Sequence, residues 1–295
     1  METNQSELKI TIQILNEIIP FIKGKNNKTK KKIEKQTNTK ININSQPEYQ
    51  SLIEIIGNNS NNIEIAKSQI EKIIQNSKNH LRATHFISIP LNNSTIISNM
   101  QNLEQKIQSI YQENENTECN FSPTFLQKPE KLHLSLLLFR IVYKEDLEKM
   151  KEIFKKINLE NLQLKNTKIS IEKLGYFSNS ENLNKTRIVF AKFAKESNPN
   201  SYEKIVQLHN ILASTFKEQG FSFDQSQFNP HASIIYPRYD SKSKISTFDS
   251  NPIFIQDELR NFQFGEMFLE EIHLSSRFGI NPVNGYYHSE EILKL

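Results

Sequence analysis

Two stretches of the chain alternate apolar and polar side chains with a period of two around a histidine. In Leu132-His133-Leu134-Ser135-Leu136, His133 and Ser135 would share one face of a strand and the leucines the other. In Pro230-His231-Ala232-Ser233-Ile234, His231 and Ser233 share a face with Ala232 and Ile234 beneath. Each motif closes a similar series of elements. Residues 83–91 read as a strand, 96–112 as an amphipathic helix, and the first His-x-Ser strand covers 131–139. Residues 186–194 again read as a strand, 202–219 as a helix ended by Gly220, and the second His-x-Ser strand covers 230–236. Ala83 precedes His133 by 50 positions and Thr186 precedes His231 by 45. Between the units lie a helical pattern over 144–157, a strand over 168–174 and a turn over 175–180. The repeat predicts an α+β domain of two lobes with antiparallel sheets related by a pseudo-twofold, which would set the two histidines across a central cleft.

A third such tripeptide, His273-Leu274-Ser275, follows only Phe262-Gln263-Phe264-Gly265 and Phe268, which read as the arm of a hairpin with no helix placed as in the lobes. His273 is therefore expected to be structural or peripheral.

The first quarter of the chain has a different pattern. A strand over 8–14 leads to the apolar run Ile18-Ile19-Pro20-Phe21-Ile22, then to Lys23-Gly24-Lys25-Asn26-Asn27 and a basic helix over 28–37. Strands over 40–43 and 51–57 follow, and then a helix over about 60–75 with Ile63, Ala66, Ile70, Ile73 and Ile74 at helical spacing. The polar run 75–79 reads as a linker, which divides the chain into domains 1–79 and 80–295.

Charge sharpens this division. Residues 1–79 hold 12 Lys and 8 Glu with no Arg or Asp, and the remainder is balanced at 25 basic and 25 acidic residues. The net charge of +4 therefore belongs to the first domain, and eight of its lysines lie between Lys23 and Lys40 around the glycine loop. A solvated lysine face in a lysine-rich chain would look similar, but lysines flanking such a loop point to a polyanionic partner. Lys28-Thr29-Lys30-Lys31-Lys32 also fits a nuclear localisation signal, less well because it would be folded into a helix. Cys119 is the single cysteine, which excludes an intrachain disulfide and a thiolate zinc cluster. The polar N-terminus does not resemble a signal peptide, and no apolar run approaches the ~20 residues that cross a bilayer, so a soluble intracellular protein without a membrane partner is expected.

The order strand, helix, glycine loop, helix, strand, strand, helix resembles a type I KH domain, a single-stranded nucleic-acid module. The resemblance implies that Gly24, Lys25, Asn26, Asn27 and Lys28 approach the phosphates of the strand, RNA in preference to DNA. Asn27 stands where that family has a second glycine; asparagine tolerates positive φ better than most residues.

The paired His-x-Ser strands resemble the two-histidine (2H) phosphoesterases, the superfamily of 2′-5′ RNA ligase-like proteins and cyclic phosphodiesterases. The resemblance implies His133 and His231 as the acid/base pair and Ser135 and Ser233 as phosphate-binding hydroxyls, acting on 2′,3′-cyclic phosphate or 2′-5′-linked RNA ends. Imidazoles suit both proton roles because they titrate near neutrality. No cofactor or metal is implied, and the motifs lack the neighbouring carboxylates or further histidines of a metal site. Tyr236 and Arg238, just past the second motif, are candidates for stacking on a base or holding a phosphate, and Phe86 for stacking or, in preference, core. The KH and 2H combination, with the stretches Phe125-Leu126-Gln127-Lys128-Pro129 and Ile272-His273-Leu274-Ser275-Ser276-Arg277-Phe278, resembles a family joining a KH module to a kinase-anchoring-protein-7-like 2H domain. That implies a nuclear protein, or one shared between nucleus and cytoplasm. It also implies association with transcription coactivation and alkylation-damage repair through a helicase-containing complex. The alternative is a non-enzymatic RNA-binding adaptor of that complex whose 2H cleft is vestigial or binds ends only. Taken singly, each histidine would also suit an ordinary α+β core.

Overall fold

The alternating run near the N-terminus forms strand β1 (Leu8–Leu15) in the computed structural model, which describes residues 7–46, 50–78, 80–113, 120–178, 182–224, 227–237 and 245–295. A 3-10 turn leads into α1 (Ile19–Lys23) and the loop 24–27. Then come α2 (Lys28–Thr37), β2 (Lys40–Ser45), β3 (Gln50–Gly57) and α3 (Ser60–Lys78). The sheet runs β1-β3-β2 with antiparallel pairs, and the register sets Ile10 and Ile41 opposite Ile55, and Ile12 and Ile43 opposite Ile53. Isoleucine from both kinds of element therefore meets in one layer: Ile53 and Ile55 of the sheet pack with Ile22, Ile33, Ile63 and Ile70 of the helices, all buried. This is the KH topology expected from the element order.

Residues 75–78, read above as linker, are instead the last turn of α3. Ser77 is buried and its hydroxyl donates to the Ile74 carbonyl at 2.8 Å, so the side chain satisfies itself on the helix instead of breaking it. Asn79 lies outside the described residues.

The contacts of the chain form two compact units. One comprises Met1–His85 with Phe139–Ile153 and Arg277–Gly279, and the other comprises Phe86–Leu138, Phe154–Ser276 and Ile280–Leu295. Within the first unit Val142 belongs to the isoleucine core with no exposed surface. The Leu15 N–H donates to its carbonyl at 3.1 Å, Ile14 forms a β-bridge with Tyr143, and Lys78 Nζ lies 5.6 Å from the Tyr143 ring centre. Sequence periodicity had no means of assigning Val142 to a core whose other members precede it by at least 68 positions, the separation from Ile74.

The remaining elements are β4 (His85–Pro90), α4 (Ser94–Glu113), β5 (His133–Phe139), α5 (Lys144–Lys155), β6 (Lys168–Ser178), β7 (Thr186–Phe193), α6 (Pro199–Glu218), β8 (His231–Ile235), β9 (Gln263–Phe268), β10 (Glu271–Ile280) and β11 (Tyr287–Lys294). They build two four-stranded sheets, β11-β10-β4-β5 and β8-β7-β6-β9. Each His-x-Ser strand is thus the edge of its sheet, next to the strand that its helix connects to it, and the two sheets repeat one plan. A short segment ties the edges together. Leu126 forms a β-bridge with Ile235, the Gln127 N–H donates to the Ile234 carbonyl at 2.8 Å, and the Tyr236 N–H donates to the Phe125 carbonyl at 3.0 Å. Six residues after Gln127 the chain enters β5.

Two expectations are corrected. Residues 175–178, assigned to a turn, continue β6; glycine there serves a close approach, because the Phe190 ring lies over Gly175. The Phe262–Phe268 region is no hairpin arm of its own: β9 pairs with β6 in the second sheet, whereas β10 and β11, the latter missed in the sequence, form a hairpin in the first.

Truncating Val142 should open the isoleucine core. Val142→Ala is expected to cost about 2 kcal/mol and to speed amide exchange in β3 and α3; unchanged exchange there would show that this core closes without Val142.

Candidate active site

The apolar halves of β5 and β8 decide where their polar halves go. Leu134, Leu136, Ala232 and Ile234 are buried beneath the sheets, which leaves His133, Ser135, His231 and Ser233 half-buried on the opposite faces. Both imidazoles are then held by the same bond. His133 Nδ1 lies 2.7 Å from the Lys131 carbonyl oxygen and His231 Nδ1 lies 2.7 Å from that of Asn229, in each case the residue two positions upstream. A carbonyl only accepts, so both rings carry their hydrogen on Nδ1. In the neutral form Nε2 therefore holds the lone pair and is the atom that exchanges a proton with a ligand.

The surroundings favour the neutral form. His133 is pulled down to about 4 by desolvation, against the Lys131 carbonyl bond that raises it, and a charge on His231 lowers it further, so the two rings sense one another. His231 is lowered from its usual value by burial, partly offset by the Asn229 carbonyl. The apolar cover is aromatic and repeats between lobes. The Phe86 ring stacks on His133 at 4.9 Å between centroids, and Tyr287 meets that imidazole edge-on at 5.6 Å. Phe190, on the strand beside β8 as Phe86 is on the strand beside β5, lies 5.0 Å from His231, and Phe177 meets His231 edge-on at 5.3 Å. Phe86, 3% exposed, is a core residue, the alternative preferred for it, and the ring it stacks on is His133.

Two further residues were not singled out from the sequence. Lys192 pairs directly across from His231 and Phe190 directly across from Ser233, and directly paired residues share a face, so an exposed ammonium-bearing chain stands beside His231. Gln127, 2% exposed, donates from Nε2 to the Lys131 carbonyl and to the Tyr287 hydroxyl, each at 3.4 Å, while its backbone N–H holds β8. It therefore supports the carbonyl that braces His133 and joins that brace to the other edge strand. Neither residue lies in a His-x-Ser motif; strand register brings Lys192 to His231, and hydrogen bonds tie Gln127 to the Lys131 carbonyl and to β8.

His273 is 4% exposed on β10. Its Nδ1 lies 2.8 Å from the Ser289 hydroxyl instead of a carbonyl, and its Nε2 approaches Glu271 Oε1 to 2.7 Å out of line for a hydrogen bond. The upstream-carbonyl brace of the other two histidines is not repeated there. Tyr236 follows β8 half-buried, and Arg238 lies outside the described residues. Among the described residues no group of three or more His, Cys, Asp or Glu could hold a metal ion, and no helix is long and apolar enough to cross a membrane; Cys119 lies outside them.

In the first unit the loop 24–27 is exposed apart from half-buried Gly24 and takes positive φ at Gly24 (+64°), Asn26 (+53°) and Asn27 (+60°). A Cβ on Gly24 would stand 2.1 Å from Thr29 Oγ1, so glycine is required there, whereas Asn27 occupies the left-handed region that asparagine tolerates. Lys25 in the loop and Lys28, Lys31, Lys32 and Lys35 along α2 are exposed, and Lys30 is paired with Glu34 at 2.8 Å.

Comparison with known proteins agrees with both halves. The pattern of the AKAP7 2′5′ RNA ligase-like domain matches residues 83–295 and that of the KH domain residues 9–72. Activating signal cointegrator 1 complex subunit 1 of Mus musculus is 23% identical over 301 residues, 94% of this chain and 81% of that one. A-kinase anchor protein 7 isoform gamma of Homo sapiens is 24% identical over 234 residues, 77% of this chain and 61% of that one. Among solved structures, TT0787 of Thermus thermophilus aligns with TM-score 0.45 at 17% identity, covering 72% of this chain and 97% of that one. E. coli LigT complexed with 3′-AMP aligns with TM-score 0.45 at 16% identity, covering 73% and 99%.

The brace and the burial together set a pH signature. At pH 7 nitrogen chemical shifts should show both His133 and His231 as neutral Nδ1–H rings, with His133 titrating near 4 and His231 below 6.5. Because the unfolded chain binds protons at these sites from about 6.5 downward and the folded chain does not, urea stability should fall as pH drops from 6.5 toward 4. A His133 that titrates at 6.5 would contradict the packing described.

Proposed function

We propose that this chain, which belongs to the AKAP7 2′5′ RNA ligase-like domain family and carries a KH domain ahead of it, is a metal-independent phosphodiesterase acting on RNA ends. The observation that carries the reading is the twin brace: two imidazoles on two equivalent edge strands, each presenting Nε2, each with a serine two residues on. A lone core histidine has no need of a counterpart fixed in the same tautomer.

On a 2′,3′-cyclic phosphate the residues act as follows. One imidazole Nε2 removes a proton from water as its oxygen bonds to phosphorus, the bond from phosphorus to one ribose oxygen breaks, and the other imidazole, protonated, gives its proton to that oxygen. Ser135 and Ser233 donate to the non-bridging oxygens as charge gathers there, and Lys192 adds a cation beside His231. The negative phosphate raises both imidazole pKa values on binding. The more enclosed His133 then serves as base, and His231, beside the exposed edge of the second sheet, as acid. A 2′-5′ linkage presents the same phosphorus with a different leaving nucleoside.

The KH module, residues 1–79 in this reading, holds single-stranded RNA on its glycine loop and delivers an end to the domain of residues 80–295. The relative named as a subunit of an activating signal cointegrator complex supports a place in such a complex, and we extend this to a repair assembly containing a helicase, in the nucleus. It also supports the second reading, an RNA-binding adaptor whose cleft binds ends without turnover.

The two readings separate on turnover. Wild type, His133→Ala and His231→Ala, incubated in EDTA with cyclic-phosphate-ended and 2′-5′-linked oligonucleotides, should show cleavage by wild type alone, each substitution removing at least about 100-fold of the rate. Wild type without turnover on either substrate refutes the enzyme and favours the adaptor. Reversing Lys25 and Lys28 to Glu should weaken single-stranded RNA binding and flatten its salt dependence by about two phosphate contacts; unaltered binding would remove the KH loop from the interface.

A further inference from the structure

The two histidines share a brace but not a neighbourhood. Beside His133 the covering rings are Phe86, 3% exposed, and Tyr287, half-buried with Lys131 Nζ 4.6 Å from its ring centre. Beside His231, Phe190 is 6% exposed but Phe177 is 39% exposed. Phe177 stacks on Phe190 at 4.4 Å between centroids with the ring planes 28° apart. One face of Phe177 is therefore backed by a buried ring, and the ring meets the imidazole of His231 edge to face.

This stack is built into the sheet. Gly175 pairs across from Phe190 in the β6–β7 ladder, and a Cβ on Gly175 would stand 2.7 Å from Phe190 Cζ and 2.8 Å from Lys192 Cε. Glycine at that position lets the Phe190 ring and the Lys192 stem lie across β6, where the Phe190 ring supports Phe177 two residues further on. A register shift follows between Phe177 and Ser178, which ends the regular pairing at that ring. Leaving a large aromatic exposed costs hydration free energy, and holding it rigid on a second ring costs entropy. Such a ring next to a phosphate site is suited to stacking against a flat, unpaired group.

We propose that Phe177, backed by Phe190 over Gly175, is the platform on which the nucleobase of the terminal nucleotide stacks, so that the base lies on the His231 side of the cleft. The inference rests on the phosphodiesterase reading and adds its specificity: a nucleoside phosphate with an unstacked base, its phosphate between the two imidazoles and beside Lys192. Base–aromatic contact does not distinguish one base from another, so the site accepts any end with an accessible base.

The test uses the full-length protein with two probes, a nucleoside 2′,3′-cyclic phosphate and the base-free ribose 2′,3′-cyclic phosphate, plus calorimetric binding of a nucleoside monophosphate and of ribose phosphate. Phe177→Ala should raise KM for the nucleoside substrate roughly tenfold more than it raises KM for the base-free substrate, and Phe177→Tyr should restore the nucleoside KM. The chain has no tryptophan, so Phe177→Trp introduces a single reporter, whose fluorescence should be quenched by the nucleoside monophosphate and not by ribose phosphate. Equal kinetics of wild type and Phe177→Ala on the nucleoside substrate overturn the platform while leaving the enzyme standing. Equal losses on both substrates also overturn it, because they show a structural role. If wild type neither binds nor turns over any of the four probes, the phosphodiesterase reading fails and the platform with it.

Discussion

The hydrogen bond from each imidazole to the carbonyl two residues before it is the constraint on which the site depends. A carbonyl oxygen has no proton to give, so the bond fixes the tautomer as well as the ring orientation, and Nε2 carries the lone pair at both histidines. The bond requires a carbonyl turned toward the side chain just before the strand begins. Each lobe provides this in its own way: Lys131 ends a 3-10 turn opened by Pro129, and Asn229 precedes Pro230, whose ring holds the preceding residue extended. Different local means therefore reach one geometry at 2.7 Å.

The position of the two strands makes the brace useful. Each His-x-Ser strand closes its sheet, with residues 125–127 bridging the outer side of β8 at its C-terminal end, and the buried leucines, alanine and isoleucine beneath pin its register. A slip of one residue would bury the histidine and serine and expose the apolar row. The aromatic rings beside the imidazoles lower their proton affinity by excluding water, which favours the neutral form of both at the cost of stability at acid pH.

The first unit uses backbone conformation in a comparable way. Its loop takes positive φ at three of four positions, and only at Gly24 does a neighbouring side chain forbid a Cβ. Asparagine suffices at Asn26 and Asn27, whose left-handed backbone is one this residue type adopts at little cost, so the departure from a second glycine leaves the backbone path intact. The lysines around the loop owe their access to solvent to helix α2, where Ile33 and Thr37 alone are buried.

Much of this was legible in the sequence because it is local. Period-two alternation placed both histidines and serines on faces, helical spacing found α2, α4 and α6, and the repeated order of elements suggested paired lobes. The order of elements, with the glycine loop, was also enough to indicate a KH domain. What pairwise spacing cannot contain is which strands become neighbours. Lys192 beside His231, Phe190 leaning over Gly175, Gln127 linking the two edges and Val142 closing a core begun far upstream all follow from register and from chain crossings. The sequence by itself determined which residues could do chemistry and on which face each would stand, since that depends on the periodicity of one strand. Tertiary structure alone decided what surrounds them, and hence their protonation and the open ring beside one of them, because burial and electrostatics depend on residues brought together from distant parts of the chain.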